Sequence, residues 1–245
     1  MGLLSLGLTA CGGRPQYRDS AETLVTADGV TLVAHAYVPP VETSPGLVLL
    51  HRAGGDRHVW DGFATRAQQS GYRVLALDLR GQGESRSAGD SILDFRQFSD
   101  DDWRRASLDI DAALQRLKAL GAAPDDLFLV GEGFGANLAL HYATEHPEIQ
   151  GVVLLSPGAE YHGIEVAPLI HPLRTRPLLL LWGQRDDYAA ACATTIQQLA
   201  EGHLEIRVYP GGAQGADLFA TAPEAMGQVL VWLDQMLASP PAPAT

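Results

Sequence analysis

The sequence is poor in cysteine, in basic residues and in long apolar runs, and each shortage removes a class of protein. Two cysteines in 245 residues cannot build a disulfide scaffold. Only 17 Lys+Arg stand against 29 Asp+Glu, a formal net charge of -12. That balance argues against a nucleic-acid partner, which needs a basic face, and against charge-driven binding to anionic lipid. No apolar run approaches the roughly 18 residues that a membrane-spanning helix requires. The 8 histidines are scattered, with no H-x-x-x-H and no C-x-x-C spacing, so neither a metal nor another cofactor is expected. What is there is globular: 46% hydrophobic and 19% charged residues, enough for one large domain with its own core.

The chain opens Met1-Gly2-Leu3-Leu4-Ser5-Leu6-Gly7-Leu8-Thr9-Ala10-Cys11-Gly12-Gly13. This short apolar run ends in small residues and a cysteine. Leu8-Thr9-Ala10-Cys11 resembles the lipobox of bacterial lipoprotein signal peptides, in which the cysteine is acylated and becomes the mature N-terminus. The resemblance implies lipidation at Cys11, a membrane partner reached through that anchor, and a place in the bacterial envelope. Gly12, not Asp, follows the cysteine, which implies the outer membrane of a Gram-negative cell. A signal peptide ordinarily begins with Lys or Arg, and none precedes Arg14. The chain thus divides into a signal and tether over 1–20, one folded domain over 21–238, and a Pro- and Ala-rich disordered tail over 239–245. Cys192 lies among alanines in a helical pattern and reads as a small buried hydrophobe.

Within the domain, short apolar blocks alternate with helix-period segments. Thr23–Thr26 and Thr31–Tyr37 flank Asp28-Gly29, a hairpin signal. Six nearly continuous apolar runs follow: Gly46–Leu50, Tyr72–Leu77, Leu127–Val130, Gly151–Leu155, Leu178–Trp182 and Leu204–Tyr209. Such runs suit strands buried on both faces. Helical patterns cover His58–Gln69, Trp103–Leu120, Phe134–Glu145, Ala189–Ala200 and Pro223–Leu237, with Ser99-Asp100-Asp101-Asp102 as a capped helix start. The alternation predicts an eight-stranded, mostly parallel, doubly wound α/β sheet. Trp103, Trp182 and Trp232 fall on these elements and read as core.

In such a sheet, ligands sit beyond the carboxyl ends of the strands. The loops there read His51-Arg52-Ala53-Gly54-Gly55, Asp78-x-Arg80-Gly81-Gln82-Gly83-Glu84-Ser85, Gly131-Glu132-Gly133-Phe134-Gly135, Ser156-Pro157-Gly158, Gly183-x-x-Asp186-Asp187 and Gly212-Ala213-Gln214-Gly215. In this order they resemble the α/β-hydrolase family over about residues 21 to 237. The resemblance implies an α/β-hydrolase fold of serine hydrolase or esterase type. It implies an oxyanion loop at His51 and Arg52, a nucleophile elbow at Gly131–Gly135 flanked by Glu132 and Phe134, an acid at Asp186 or Asp187, and a histidine loop at Gln214.

The departures fall on the reacting groups. The nucleophile position is Gly133, which has no side chain to attack a substrate. The histidine position is Gln214, whose neutral amide cannot shuttle a proton near neutral pH. Asp186 remains, and a hydrogen bond from Gln214 to it is expected to persist. Arg52 stands where the family usually has glycine and is expected to fill the pocket mouth or to pair with Asp186 or Glu132. Gln82 replaces a histidine common in the family. These features predict a non-catalytic binding protein for a small ligand or a protein partner. The alternative is a hydrolase of small esters with a relocated nucleophile at Ser156, Ser85 or Glu132, with His51 or His58 nearby. Against it, Ser156 before Pro157 and Ser85 read as turn chemistry, Glu132 as pointing sideways, His51 as bonding across loops, and His58 as a solvated helix start. Gly131–Ala136 also matches the G-x-G-x-x-A dinucleotide fingerprint, but no acid ends the next strand to hold a ribose. The excursion over 157–176, flanked by His162 and His171, is too short for a multi-helix lid and predicts a shallow, open pocket.

Overall fold

The computed structural model describes residues 16–238 apart from residue 174. Cys11 and the 239–245 tail lie outside the described residues. The strands are β1 (Arg18–Val25), β2 (Val30–Val38), β3 (Ser44–Leu50), β4 (Arg73–Leu77), β5 (Ser87–Ala88), β6 (Ser91–Ile92), β7 (Ala122–Glu132), β8 (Ile149–Leu155), β9 (Glu160–Tyr161), β10 (Ile164–Glu165), β11 (Leu178–Gly183) and β12 (Leu204–Tyr209). The helices are α1 (Asp61–Gln69), α2 (Asp100–Arg104), α3 (Ser107–Ala119), α4 (Phe134–Glu145), α5 (Ala167–Leu173), α6 (Asp187–Leu199), α7 (Leu218–Thr221) and α8 (Glu224–Ala238).

The main sheet runs β12-β11-β8-β7-β3-β4-β2-β5-β6, with β1 paired to β2. All six apolar runs became parallel strands, and the Asp28-Gly29 hairpin joins β1 to β2. The sheet has ten strands, not eight. The additional pair, β5 and β6, contributes two residues each, too few to show a period of two in the sequence. The predicted Trp103–Leu120 helix is two helices, since the chain turns at Arg105 and Ala106 between α2 and α3. Ser99 caps α2 in a full capping box with Asp102.

Successive residues of a central strand feed opposite cores. Val48 and Leu50 pack under α3 to α6, while Leu47 and Leu49 pack under α1 and α8. That is why the strands read as unbroken apolar runs. Trp103, Trp182 and Trp232 are all buried, as is Cys192, whose thiol burial pushes up to about 12. The chain leaves β3 for β4 on one side and returns to β7 on the other, so the topological switch point lies between β3 and β7. A crevice at that point is where an open α/β sheet accepts a ligand.

Candidate functional site

A cavity of about 190 Å³ opens at the carboxyl ends of β3, β7, β8 and β11. β7 enters α4 through a turn at Gly133, whose φ is 53 and ψ -118. Glycine holds such angles without the strain a side chain would bring. Strand and helix approach so closely that a Cβ on Gly131 would collide with the Gly135 carbonyl, and one on Gly135 with the Leu50 carbonyl. A Cβ on Gly133 would instead meet the Arg52 Cβ at 3.1 Å. The backbone thus presents position 133 to the cavity, and nothing there can act as nucleophile. The G-x-G-x-x-A run is this turn. Among the described residues no group of three or more His, Cys, Asp or Glu is placed to hold a metal ion.

Ala53 and Phe134 both line the cavity, and their backbone N–H groups donate to no protein acceptor among the described residues. They come from the β3 loop and from the residue after the elbow, the two sources of an oxyanion hole in this fold. The cavity thus has two free backbone donors beside a position that carries no side chain.

Glu132 is turned into the backbone of the two neighbouring loops. It is 1% exposed and accepts from the amides of Ala216 (2.8 Å) and Arg52 (3.2 Å), tying the β3 loop to the loop after β12. Burial pushes its carboxyl above the ordinary glutamate value, against the pull of those two amides. Both its oxygens are occupied, which suits a tie better than an attacking group.

Asp186 is the acid that faces the cavity, while Asp187 is exposed and lies outside the lining. The expected Gln214–Asp186 hydrogen bond is absent. Asp186 Oδ1 instead caps α6 by accepting from the Ala189 amide at 3.2 Å, and Gln214 is exposed at the cavity mouth. A long flexible amide gains little by ordering itself when water satisfies it. Arg52 pairs with neither Asp186 nor Glu132 through its guanidinium. It reaches Asp217 at 3.2 Å across the rim, a residue on a short turn that sequence spacing could not place. Its backbone N–H is the part that meets Glu132.

His51 is fully buried and lies outside the lining, contrary to its expected place in the pocket. Its Nε2 accepts from the Leu79 amide (3.0 Å), which leaves Nδ1 to donate to the Arg52 carbonyl (2.7 Å). Burial holds its pKa below the ordinary histidine value, so the neutral tautomer with that bonding pattern is the stable one. Ser85 is also buried, with Oγ accepting from the Val33 amide, far from any reacting position. His58 is exposed beside Asp61. Ser156 does line the cavity, at φ 47, but its Oγ accepts from the Gly215 amide (2.9 Å), and no imidazole is hydrogen-bonded to it.

Two lining residues escaped sequence reasoning. Tyr161 and His162 sit on a hairpin of β9 and β10 within the excursion. Tyr161 pairs with Ile164 across His162 and Gly163, whose φ values are 50 and 77. A two-residue turn of this kind needs both φ positive, so His-Gly was the available signal. His162 stacks on Trp103 at 4.0 Å between centroids. Asn137, fully buried on α4, donates to the carbonyls of Gly158 and Ile164 and accepts from the Gly158 amide, which pins the hairpin to the core.

The fold, the tight elbow and the paired amide donors define an α/β-hydrolase. A family model, Hydrolase_4, described as serine aminopeptidase S33, matches residues 42–176, and the chain belongs to that family. In sequence it is 32% identical over 120 residues to a rice (Oryza sativa subsp. japonica) protein named "Probable 1-acylglycerol-3-phosphate O-acyltransferase". The match takes 47% of this chain and only 26% of the relative, so the chain spans about a quarter of that protein's length. Among solved structures, an α/β hydrolase of Penicillium sp. sh18 superposes with a TM-score of 0.75 at 13% identity, covering 90% of this chain and 99% of the other. A dienelactone hydrolase of Anabaena variabilis gives 0.70 at 19% identity, over 92% and 100%. An esterase of Pyrococcus furiosus gives 0.69 at 19% identity, over 89% and 91%. At these identities the structural likeness establishes the fold.

Proposed function

We propose that this chain uses an α/β-hydrolase scaffold for binding rather than turnover, its triad being degenerate at Gly133 and Gln214. The observation that carries the reading is Gly133 itself: the elbow backbone stands at φ 53, ψ -118 with no side chain on it. Loss of one triad member already costs orders of magnitude in rate, and here the base position is also an amide. The alternative of a relocated nucleophile loses support at each candidate. Glu132 has both oxygens occupied, Ser85 lies outside the cavity lining, and Ser156 has no base hydrogen-bonded to it. The lipobox-like Leu8–Cys11 supports a lipid tether that places the domain at a bacterial envelope.

The test is a fluorophosphonate probe beside a panel of small esters. No labelling and no turnover are expected; stoichiometric serine labelling, or turnover abolished by Ser156→Ala, overturns the reading. Restoration sharpens it. Gly133→Ser with Gln214→His should remain inactive while Arg52 crowds position 133, and adding Arg52→Gly should bring esterase activity. For the tether, detergent partitioning and globomycin-sensitive processing should both vanish in Cys11→Ala, and a wild type that already partitions into water removes the lipid proposal.

A further inference from the structure

We infer that the cavity takes a small organic cation that donates N–H hydrogen bonds, a primary ammonium group being the simplest, seated on the open oxygen of Asp186. This rests on the non-catalytic reading above and gives it a ligand class. Asp186 is 4% exposed, and only its Oδ1 has a protein donor, the Ala189 amide. Its Oδ2 accepts from no protein group yet is not sealed away, on a residue that lines the cavity. A carboxylate oxygen so deeply placed lacks most of its water and favours a charged donor brought by a ligand. In a triad enzyme the histidine supplies that donor; Gln214 does not.

The charged side chains around the cavity set the sign of the ligand, while the free Ala53 and Phe134 amides, neutral donors, stay open to an acceptor atom on the same molecule. The neighbouring carboxyl, Glu132, already has both oxygens engaged by backbone amides, so Asp186 is the acid left with an unpartnered oxygen in the lining. The guanidinium of Arg52 is turned to the rim, where Asp217 neutralises it. Among the described residues no Lys, Arg or His forms an ion pair with Asp186. Phe134 and Tyr161 line the same cavity and add apolar surface for the ligand's carbon chain. The cavity, about 190 Å³, lies below the roughly 300 Å³ at which drug-sized sites begin. That size limits the occupant to a few heavy atoms.

The test titrates the full chain with butylammonium chloride by calorimetry at about pH 7, where an alkylammonium keeps its proton, with sodium acetate as the matched anion. Saturable butylammonium binding and no acetate binding are expected. Asp186→Asn keeps an acceptor for the α6 cap but removes the charge, and should weaken butylammonium binding about tenfold or more, the scale of one charge-assisted hydrogen bond. Gln214→Lys, at an exposed position, tethers an ammonium at the mouth and should block binding with Tm unchanged. Absent butylammonium binding, equal affinity for acetate, or an undiminished Asp186→Asn variant each overturns the inference. The fluorophosphonate assay reads the other claim separately. A protein that is neither labelled nor turning over, and that ignores butylammonium, loses only the ligand class; a labelled one loses the non-catalytic reading whatever it binds.

Discussion

Two loops stand at the same end of the sheet and have opposite characters. The loop after β4 is saturated with charge-assisted hydrogen bonds. Asp78 accepts from the Arg57 amide (2.7 Å), the Arg57 guanidinium (2.5 Å) and the Glu84 amide (2.8 Å), while Arg80 bridges Asp109 and Asp28 at 2.8 and 2.7 Å. Gln82, where the family often carries histidine, accepts from the Gly54 amide at 2.6 Å. Around the elbow, by contrast, donors and acceptors are left open: two backbone amides, one oxygen of Asp186 and the side chain of Gln214. One loop spends its polar groups internally and holds the scaffold. The other leaves them for whatever enters.

The contrast breaks if the β4 loop proves dispensable. Asp78→Ala removes three hydrogen bonds and leaves the Arg57 guanidinium buried without its closest carboxylate, since Glu84 is mostly exposed. A loss of about 3–5 kcal/mol is expected in urea unfolding; a loss under about 1 kcal/mol would put the scaffold elsewhere. A finer cut lies within the elbow. Gly131→Ala drives a methyl into the backbone of α4 and should cost about 3 kcal/mol or more. Gly133→Ala meets only the Arg52 side chain, and the positive φ should limit its cost to about 1–2 kcal/mol. Equal costs would mean that position 133 is held by packing and not left open to the cavity.

The smallest effect concerns pH. Burial raises Asp28, but the hydrogen bonds from Arg80 and Thr26 outweigh it and hold the carboxyl below the ordinary aspartate value. A depressed carboxyl stabilises the fold above its unfolded-state pKa, and that contribution is lost as pH falls through the folded value. Asp28→Asn should therefore lower stability at neutral pH by about 1 kcal/mol or less, because the pair is part exposed, and flatten the acid limb, the two proteins converging as pH falls through the folded value.

The centre of the sheet was legible because its strands are buried on both faces and show as nearly continuous apolar runs; β12, at the edge, reads Leu204-Glu205-Ile206-Arg207-Val208-Tyr209 and is only half-buried. The elbow was legible because steric closeness leaves glycine as the only fit at Gly131 and Gly135. What did not show were pairings that only the tertiary fold creates. Arg52 and Asp217 are separated by 165 positions, and Glu132 meets the Ala216 amide across 84. The Asp186–Gln214 bond was drawn from the family's geometry; it is missing although one oxygen of Asp186 stays open, because an exposed amide that water satisfies gains little by ordering itself. The β9–β10 hairpin carries two residues per strand, so its only mark in the sequence is the His162-Gly163 turn, with no alternating pattern on either side of it.

Asn137 settles how the cavity should respond when filled. Its three hydrogen bonds fasten the base of the hairpin that carries Tyr161 and His162, and the stack of His162 on Trp103 secures the tip. The wall is ordered before any ligand arrives. Association then loses little backbone freedom, and its heat should report contacts formed, with no component from a loop folding over them.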